Sequence, residues 1–176
     1  GSPQGQADVA QSVYNRVQDK TYGSSITDVL TRKQQYQPAF IDPNASEGPG
    51  TAVSPKFKAI VDENSAVAAM SSYYRKRNIT KSESSIRQQL KGSISAIQDP
   101  TYQQNARNFV GNRTEFLSPN QRQSGDIWRA TNNDNAFFIA YGSPKNQAGQ
   151  NPTASVPTVI SAVSYTHLTL PTNCVV

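Results

Sequence analysis

The side chains that most often carry out metal or nucleophilic chemistry are nearly absent from this chain. Its 176 residues include one histidine, His167, and one cysteine, Cys174. A structural zinc site needs four Cys or His ligands, and an internal disulfide needs two cysteines. We therefore expect no disulfide, no cofactor and no metal site, unless carboxylates alone supply the ligands. The chemistry that remains is that of carboxylates, amides and tyrosine.

A cluster of basic residues lies in the middle of the chain, which has a formal net charge of +5. Its members are Arg75, Lys76, Arg77, Lys81, Arg87 and Lys91. Such a cluster suits nucleic acid or another polyanion, but no nucleic-acid recognition motif accompanies it. We therefore interpret it as a solvated helix face and do not expect nucleic acid as a partner.

The charged residues are unevenly distributed along the chain. Residues 1–117 hold 24 of the 29 charged side chains, whereas the following stretch is rich in turn formers such as Asn132-Asn133-Asp134-Asn135. This predicts one domain over 1–117 and an irregular polar flank or linker over 118–162. No apolar run approaches the ~18 residues that a membrane-spanning helix needs.

Within residues 1–117 the apolar residues recur at helical spacing. In the first segment, from Pro3 onwards, one face is apolar (Ala10, Val13, Tyr14, Val17) and the opposite face is polar (Asp8, Ser12, Asn15, Asp19). We expect Asp8, on this polar face, to be solvated. Residues suited to cap further helices are Ser25, Asp62, Ser82 and Asp99, with Gly111 as a natural stop. Ser54-Pro55 is another helix start, and the spacing leaves open whether the helix there is continuous past Asp62. The pattern predicts a mostly α globule of five or six short helices.

The end of the chain resembles a laboratory sequence. Val163–Thr172 is similar to a direct translation of the transposon adaptor DNA used in short-read sequencing libraries, with ten residues matching in one frame. We therefore interpret residues 163–176 as a non-native tail and expect the native sequence to differ after Ala162. His167 and Cys174 lie in or after this stretch, so neither is assigned a function.

Two segments carry a resemblance to a known family. Gly5-Gln6-Ala7-Asp8-Val9-Ala10-Gln11-Ser12-Val13-Tyr14-Asn15-Arg16-Val17 resembles a helix of the SleB-like cell-wall hydrolases, whose pattern is approximately G-Q-x-x-V-A-x-x-x-x-N-R-V. The similarity continues through Tyr22 to Leu30 and reaches Gln35-Tyr36-Gln37-Pro38. Val110-Gly111-Asn112-Arg113-Thr114-Glu115-Phe116 is similar to a V-G-G-R-T-D/E-F motif of phage tail or virion-associated proteins that carry this domain.

The resemblance implies a lysozyme-like fold that cleaves the glycan strand of peptidoglycan, by hydrolysis or by lytic transglycosylation. It also implies a location in a phage virion or at the bacterial cell wall or periplasm, with peptidoglycan and other virion proteins as partners and no membrane partner. The reaction needs a carboxylic acid that is protonated near neutral pH. The family pattern places this glutamate just upstream of Gly1, so we expect the general acid to lie outside the chain.

The chain itself contains weaker substitutes for that acid. Glu47 lies in a Gly/Pro-rich loop, and Glu115 belongs to the second motif. Glu63 and Glu83 occupy first helical turns, where the helix dipole favours the ionised form and makes a poor acid. If none of these serves, the alternative function is a non-catalytic module, either a structural part of a virion tail or a cell-wall-binding domain.

The resemblance also suggests substrate-binding residues, namely Gln6, Gln35, Tyr36 and Arg113. An amide bonds an acetamido group, and a tyrosine ring covers the apolar face of a sugar. The alternatives are a partly hydrated Gln6, a Tyr36 in the core and an Arg113 in a structural ion pair. For Asn15-Arg16 we expect a structural role, in which hydrogen bonds tie the first helix to a neighbouring loop.

Overall fold

The computed structural model describes residues 1–20, 22–30, 60–117, 119–120 and 127–139. In this part of the chain, helices precede a small sheet. The helices are α1 (Pro3–Asp19), α2 (Ile26–Leu30), α3 (Glu63–Lys76), α4 (Glu83–Gln98) and α5 (Pro100–Val110), and the strands are β1 (Glu115–Leu117), β2 (Ile127–Thr131) and β3 (Ala136–Ile139). The prediction of a mostly helical protein is confirmed. No helix among these is long and apolar enough to cross a bilayer.

Helix starts follow from side chains that satisfy the first free N–H groups. The N-cap side chains of Ser2, Asp62, Ser82 and Asp99 accept hydrogen bonds from backbone N–H groups two or three residues further on. Asp62 has an extended backbone and forms a capping box with Ser65, so α3 begins at Glu63 and is not continuous with residues 60–61. Residues 54–59, where another helix start is predicted, lie outside the described residues.

The apolar core lies where one face from each of four helices meets. Val13 of α1, Leu30 of α2, Met70 of α3 and Leu90 of α4 are each at most 3% exposed. Burying a side chain of this size is worth about 1.5–3 kcal/mol, so this cluster is the main apolar source of stability. Helix α1 is the central element, because it contacts α2, α4, α5 and β1.

The three strands form one antiparallel sheet in the order β1-β3-β2. Phe116 of β1 lies opposite Phe137 of β3. The prediction of an irregular flank over 118–162 is therefore wrong for 127–131 and 136–139, and the sheet extends across the boundary predicted at residue 117. All four residues of β3 are buried, so the strand is a continuous apolar run without the alternation that marks a half-exposed strand.

Helix α3 ends in a Schellman motif. The N–H of Ile79 donates to the carbonyl of Tyr74 at 2.9 Å, and the N–H of Asn78 donates to that of Arg75 at 3.1 Å. Asn78 has a φ of 55°, in the left-handed region. Asparagine is the residue, after glycine, that most readily takes this position.

The backbone of Asn78 leads to a prediction about stability. Asn78→Ala should lower the free energy of unfolding by about 1 kcal/mol, because left-handed backbone is costly for a residue with a Cβ and no compensating amide. Asn78→Gly should leave it unchanged or higher, since glycine adopts this conformation freely. Urea denaturation followed by circular dichroism measures both. An equal loss in the two variants would contradict the prediction, because it would trace the effect to the side chain and not to φ.

Candidate functional site

The polar face of α1 is buried. Asp8 and Ser12 are 0% exposed and Asn15 is 3% exposed, so the expectation that Asp8 is solvated is wrong. The physical reason is that α5, the 111–115 segment and the β2–β3 turn cover this side of the helix. Buried polar groups are tolerated when they find hydrogen-bond partners, and the partners here are specific.

The amino-terminal half of α1 contributes to a buried polar cluster, which we call the Asp8 cluster (Gln4, Asp8 and Asn132). One carboxyl oxygen of Asp8 accepts from Nε2 of Gln4 at 2.9 Å, and the other accepts from Nδ2 of Asn132 at 2.9 Å. The same Gln4 nitrogen donates to the carbonyl of Tyr102 in α5 at 3.1 Å. Asp8 thus joins α1 to the β2–β3 turn, and Gln4, which bonds Asp8, joins α1 to α5.

The β2–β3 turn is held in shape by its own side chains and sits directly against α1. Oδ1 of Asn132 accepts from the N–H groups of Asp134 and Asn135, both at 2.9 Å, as in an Asx turn. The Asp134 carboxylate accepts from the N–H and the hydroxyl of Ser2. A Cβ on Gly5 would lie 2.8 Å from that of Asp134, so only glycine fits there.

Burial changes the pKa of the Asp8 carboxyl group. Desolvation raises the pKa of Asp8 above its ordinary 3.8, outweighing the two amide hydrogen bonds, and the nearby charge of Asp134 acts in the same direction. A raised carboxyl pKa is what a general acid needs. Yet both oxygens of Asp8 are bonded within the chain and the residue has no exposed surface, so a substrate does not reach it. We interpret Asp8 as a structural residue.

The carboxyl-terminal half of α1 is held by a second set of hydrogen bonds. Nδ2 of Asn15 donates to the carbonyls of Gly111 and Arg113, both at 2.8 Å, and Nε of Arg16 donates to the carbonyl of Thr114. These bonds confirm the expected structural role of Asn15-Arg16. They join α1 to the segment that leads from α5 into β1.

Glu115, one of the candidate acids, is held by two neighbouring side chains. Nη2 of Arg16 lies 2.9 Å from one carboxylate oxygen, and the hydroxyl of Tyr22 donates to the other. Burial, reinforced by the charge of Glu115, raises the pKa of Tyr22 to about 12, so its phenol remains a proton donor near neutral pH. Because both oxygens of Glu115 are engaged, we interpret it as an ion-pair partner and not as the general acid.

Two of the predicted substrate-binding residues lie in the described part of the chain. Arg113 is buried, and its Nη1 donates to the carbonyls of Phe109 and Val110 at 3.1 Å, which caps the carboxyl end of α5. Because the residue is only 8% exposed, a substrate has little access to its guanidinium group.

Gln6, the second of these residues, is half-buried. Its Nε2 donates to the carbonyl of Gly1 at 3.4 Å, while its Oε1 has no hydrogen-bond partner among the described residues. A contact from Gln6 to substrate stays a prediction.

The remaining candidates do not join this site. Gln35, Tyr36 and Glu47 lie outside the described residues, and their roles stay predictions. Glu63 pairs with Arg87 at 3.1 Å on the surface, and Glu83 is exposed in the first turn of α4. Over the described ranges, no group of three or more His, Cys, Asp or Glu side chains is arranged to hold a metal ion.

Comparison of the chain with protein-family models, with curated proteins and with solved structures gives no match. The site is therefore interpreted from its own geometry and from the motifs in its sequence. The sequence pattern predicts only a turn at Asn132 and Asp134, and does not predict their contacts with the amino-terminal region. The signal available for them was a turn-forming run followed directly by the apolar run that forms β3.

Removing the amide of Asn15 should strongly destabilise the protein. Asn15→Ala leaves two buried carbonyl groups unpaired, each at a cost of about 1–3 kcal/mol, so the free energy of unfolding should fall by about 2–6 kcal/mol. Asn108→Ala on the exposed face of α5 is the matched control, and should change it by no more than about 0.7 kcal/mol. Similar losses in both variants, measured by urea denaturation, would show that the buried amide has no special role.

The raised pKa of Asp8 gives a pH dependence with a defined sign. The folded state favours the protonated carboxyl, so this contribution to stability is fully present below pH 3.8 and is lost as pH rises through the higher folded-state pKa. Asp8→Asn removes this titration. The free energy of unfolding of the wild type minus that of the variant should therefore decrease between acidic and neutral pH. An increase would mean that the fold favours the charged carboxylate.

Proposed function

We propose that this chain forms part of a domain that cleaves the glycan strand of peptidoglycan, with a lysozyme-like arrangement of its helices. The scaffold of this domain is α1 together with the 110–116 segment. The general acid is a glutamate just ahead of Gly1, as the resemblance to SleB-like hydrolases implies.

The proposal is carried by the contact between the two segments that resemble the family. Asn15 and Gly111 are 96 residues apart in sequence, yet the side chain of one bonds the backbone of the other. Arg16 reaches the carbonyl of Thr114 and the carboxylate of Glu115 in the same way. Direct bonds between the two motifs give a physical reason for both to occur together, and so support their assignment to one structural unit.

The individual motif positions are consistent with this unit. Gly5 allows α1 to approach the β2–β3 turn, and Asn15 and Arg16 fix the other end of the helix. The motif carboxylates of Asp8 and Glu115 are bonded within the chain. An acid supplied from another part of the protein fits this arrangement.

The surroundings of the amino end of α1 suit such an acid. A residue directly ahead of Gly1 would enter the molecule close to Asp134, which bonds Ser2. A neighbouring negative charge disfavours ionisation of a second carboxyl group, and so keeps it protonated nearer to neutral pH. The acid then donates its proton to the glycosidic oxygen. In a transglycosylase the same group next acts as base toward a hydroxyl of the sugar, so that one glutamate suffices.

The internal bonding of Asp8 and Glu115 also favours a second candidate function. Two motif carboxylates that both serve the architecture of the domain suit a non-catalytic module as well as an enzyme whose acid lies elsewhere. In that case the protein would be a structural part of a virion tail or a cell-wall-binding domain.

Muropeptide release from purified sacculi tests the two functions. The protein carrying its native residues ahead of Gly1 should release soluble fragments, and changing the upstream glutamate to Gln should reduce the rate by about 100-fold or more, as expected for loss of a general acid. Glu83→Gln, made in the same extended protein, is the control for an exposed glutamate and should retain full activity.

Equal release by the extended protein and its upstream Glu→Gln variant would contradict the catalytic proposal. Binding to sacculi without release by either protein would support the non-catalytic module. A product that ends in an intramolecular anhydro sugar would identify transglycosylation, and a reducing end would identify hydrolysis.

A further inference from the structure

The turn between α3 and α4 concentrates positive charge without compensation. Within residues 75–81 four side chains are cationic and exposed, namely Arg75, Lys76, Arg77 and Lys81. Elsewhere in the described residues, Arg16 pairs with Glu115 and Arg87 pairs with Glu63. None of the four cations of the turn has a carboxylate partner among the described residues. We call these four residues the basic turn.

The backbone of the basic turn and two of its four side chains, Arg77 and Lys81, are held by contacts within the chain. The Schellman motif around Asn78 fixes its backbone. The guanidinium of Arg77 lies 5.7 Å from the centroid of the Tyr73 ring, and the ammonium of Lys81 lies 4.6 Å from that of Tyr74. Lys81 also donates to Oε1 of Gln89 at 3.0 Å. Cations that are already ordered lose little conformational entropy when they bind an anion.

The number of cations in the basic turn and the groups around them indicate which class of polyanion it can bind. Four cations can neutralise at most about four phosphates, so non-specific affinity for duplex DNA should be low and should fall as salt rises. Single-stranded nucleic acid needs open aromatic faces for stacking, whereas the partly buried ring of Tyr73 and the buried ring of Tyr74 each have a cation over them. A flexible chain with an anionic group at short intervals matches the turn better. Arginine forks recognise phosphate by paired hydrogen bonds.

We propose that the basic turn binds the phosphodiester-linked polyol polymers of bacterial cell walls. This inference rests on the proposed function, because it assigns the glycan-cleaving or cell-wall-binding domain a second contact with its substrate layer. Alternating phosphates and neutral polyol units let a flexible polymer place several anions on the four cations. Such a contact holds the domain at the wall surface.

Cosedimentation of the 176-residue chain with sacculi from a Gram-positive bacterium tests the inference. Binding at 50 mM salt should be lost when hydrofluoric acid removes the phosphodiester polymers. Arg75→Gln/Lys76→Gln should weaken binding by about 25-fold, roughly fivefold for each basic residue removed. The salt dependence of binding should fall by about half, since half of the cations are gone.

The control is Lys20→Asn/Lys91→Gln, which removes the same charge from exposed residues outside the turn and should bind almost as the wild type does. Circular dichroism establishes that each variant is folded. Unchanged binding to stripped sacculi, equal weakening in the two double variants, or tighter binding to duplex DNA or anionic vesicles would each overturn the inference. The assay measures binding to whole sacculi and no cleavage, so its outcome is independent of the muropeptide-release test.

Discussion

The buried polar face of α1 is the constraint on which the described structure depends. Three polar residues of this face are buried, namely Asp8, Ser12 and Asn15. Burying a polar atom costs free energy unless the atom forms a hydrogen bond inside the protein. Asp8 finds a partner in the β2–β3 turn and Asn15 in the 111–113 segment, while the hydroxyl of Ser12 donates to a carbonyl of α1 itself. Gln4 adds a bond to α5, so three segments must stand at fixed distances from one helix. Apolar packing holds the opposite face of α1 with little directional preference. The hydrogen bonds, by contrast, fix the rotation of the helix about its axis and its position along that axis.

Local structure could be predicted from the sequence to a large extent. Ser82 and Asp99 mark the starts of α4 and α5, and Gly111 marks the end of α5, because capping depends on residues only a few positions away. The burial of Asp8 could not be predicted in this way. Periodicity identifies the apolar side of a helix, but it does not report whether a distant segment also covers the polar side.

The sheet was missed for a related reason. The run Ala136-Phe137-Phe138-Ile139 is too short and too uniformly apolar to show either the helical or the alternating period. Its charge-poor, turn-rich surroundings resemble a linker in composition.

The candidate site could likewise be predicted only where the signal is local. Asn15-Arg16 could be assigned a structural role from its place in a motif. The roles of Asn132 and Asp134 depend on contacts with residues more than 120 positions away in sequence.

The contact between Ser2 and Asp134 joins two residues that are 132 positions apart. On the ribosome, α1 is synthesised well before the turn that covers it. At about 5–20 residues per second, roughly 6–23 s separate the completion of the helix from the arrival of the turn that covers it. During that interval Asp8 remains hydrated and ionised, and folding of this region completes only when the hairpin has been made.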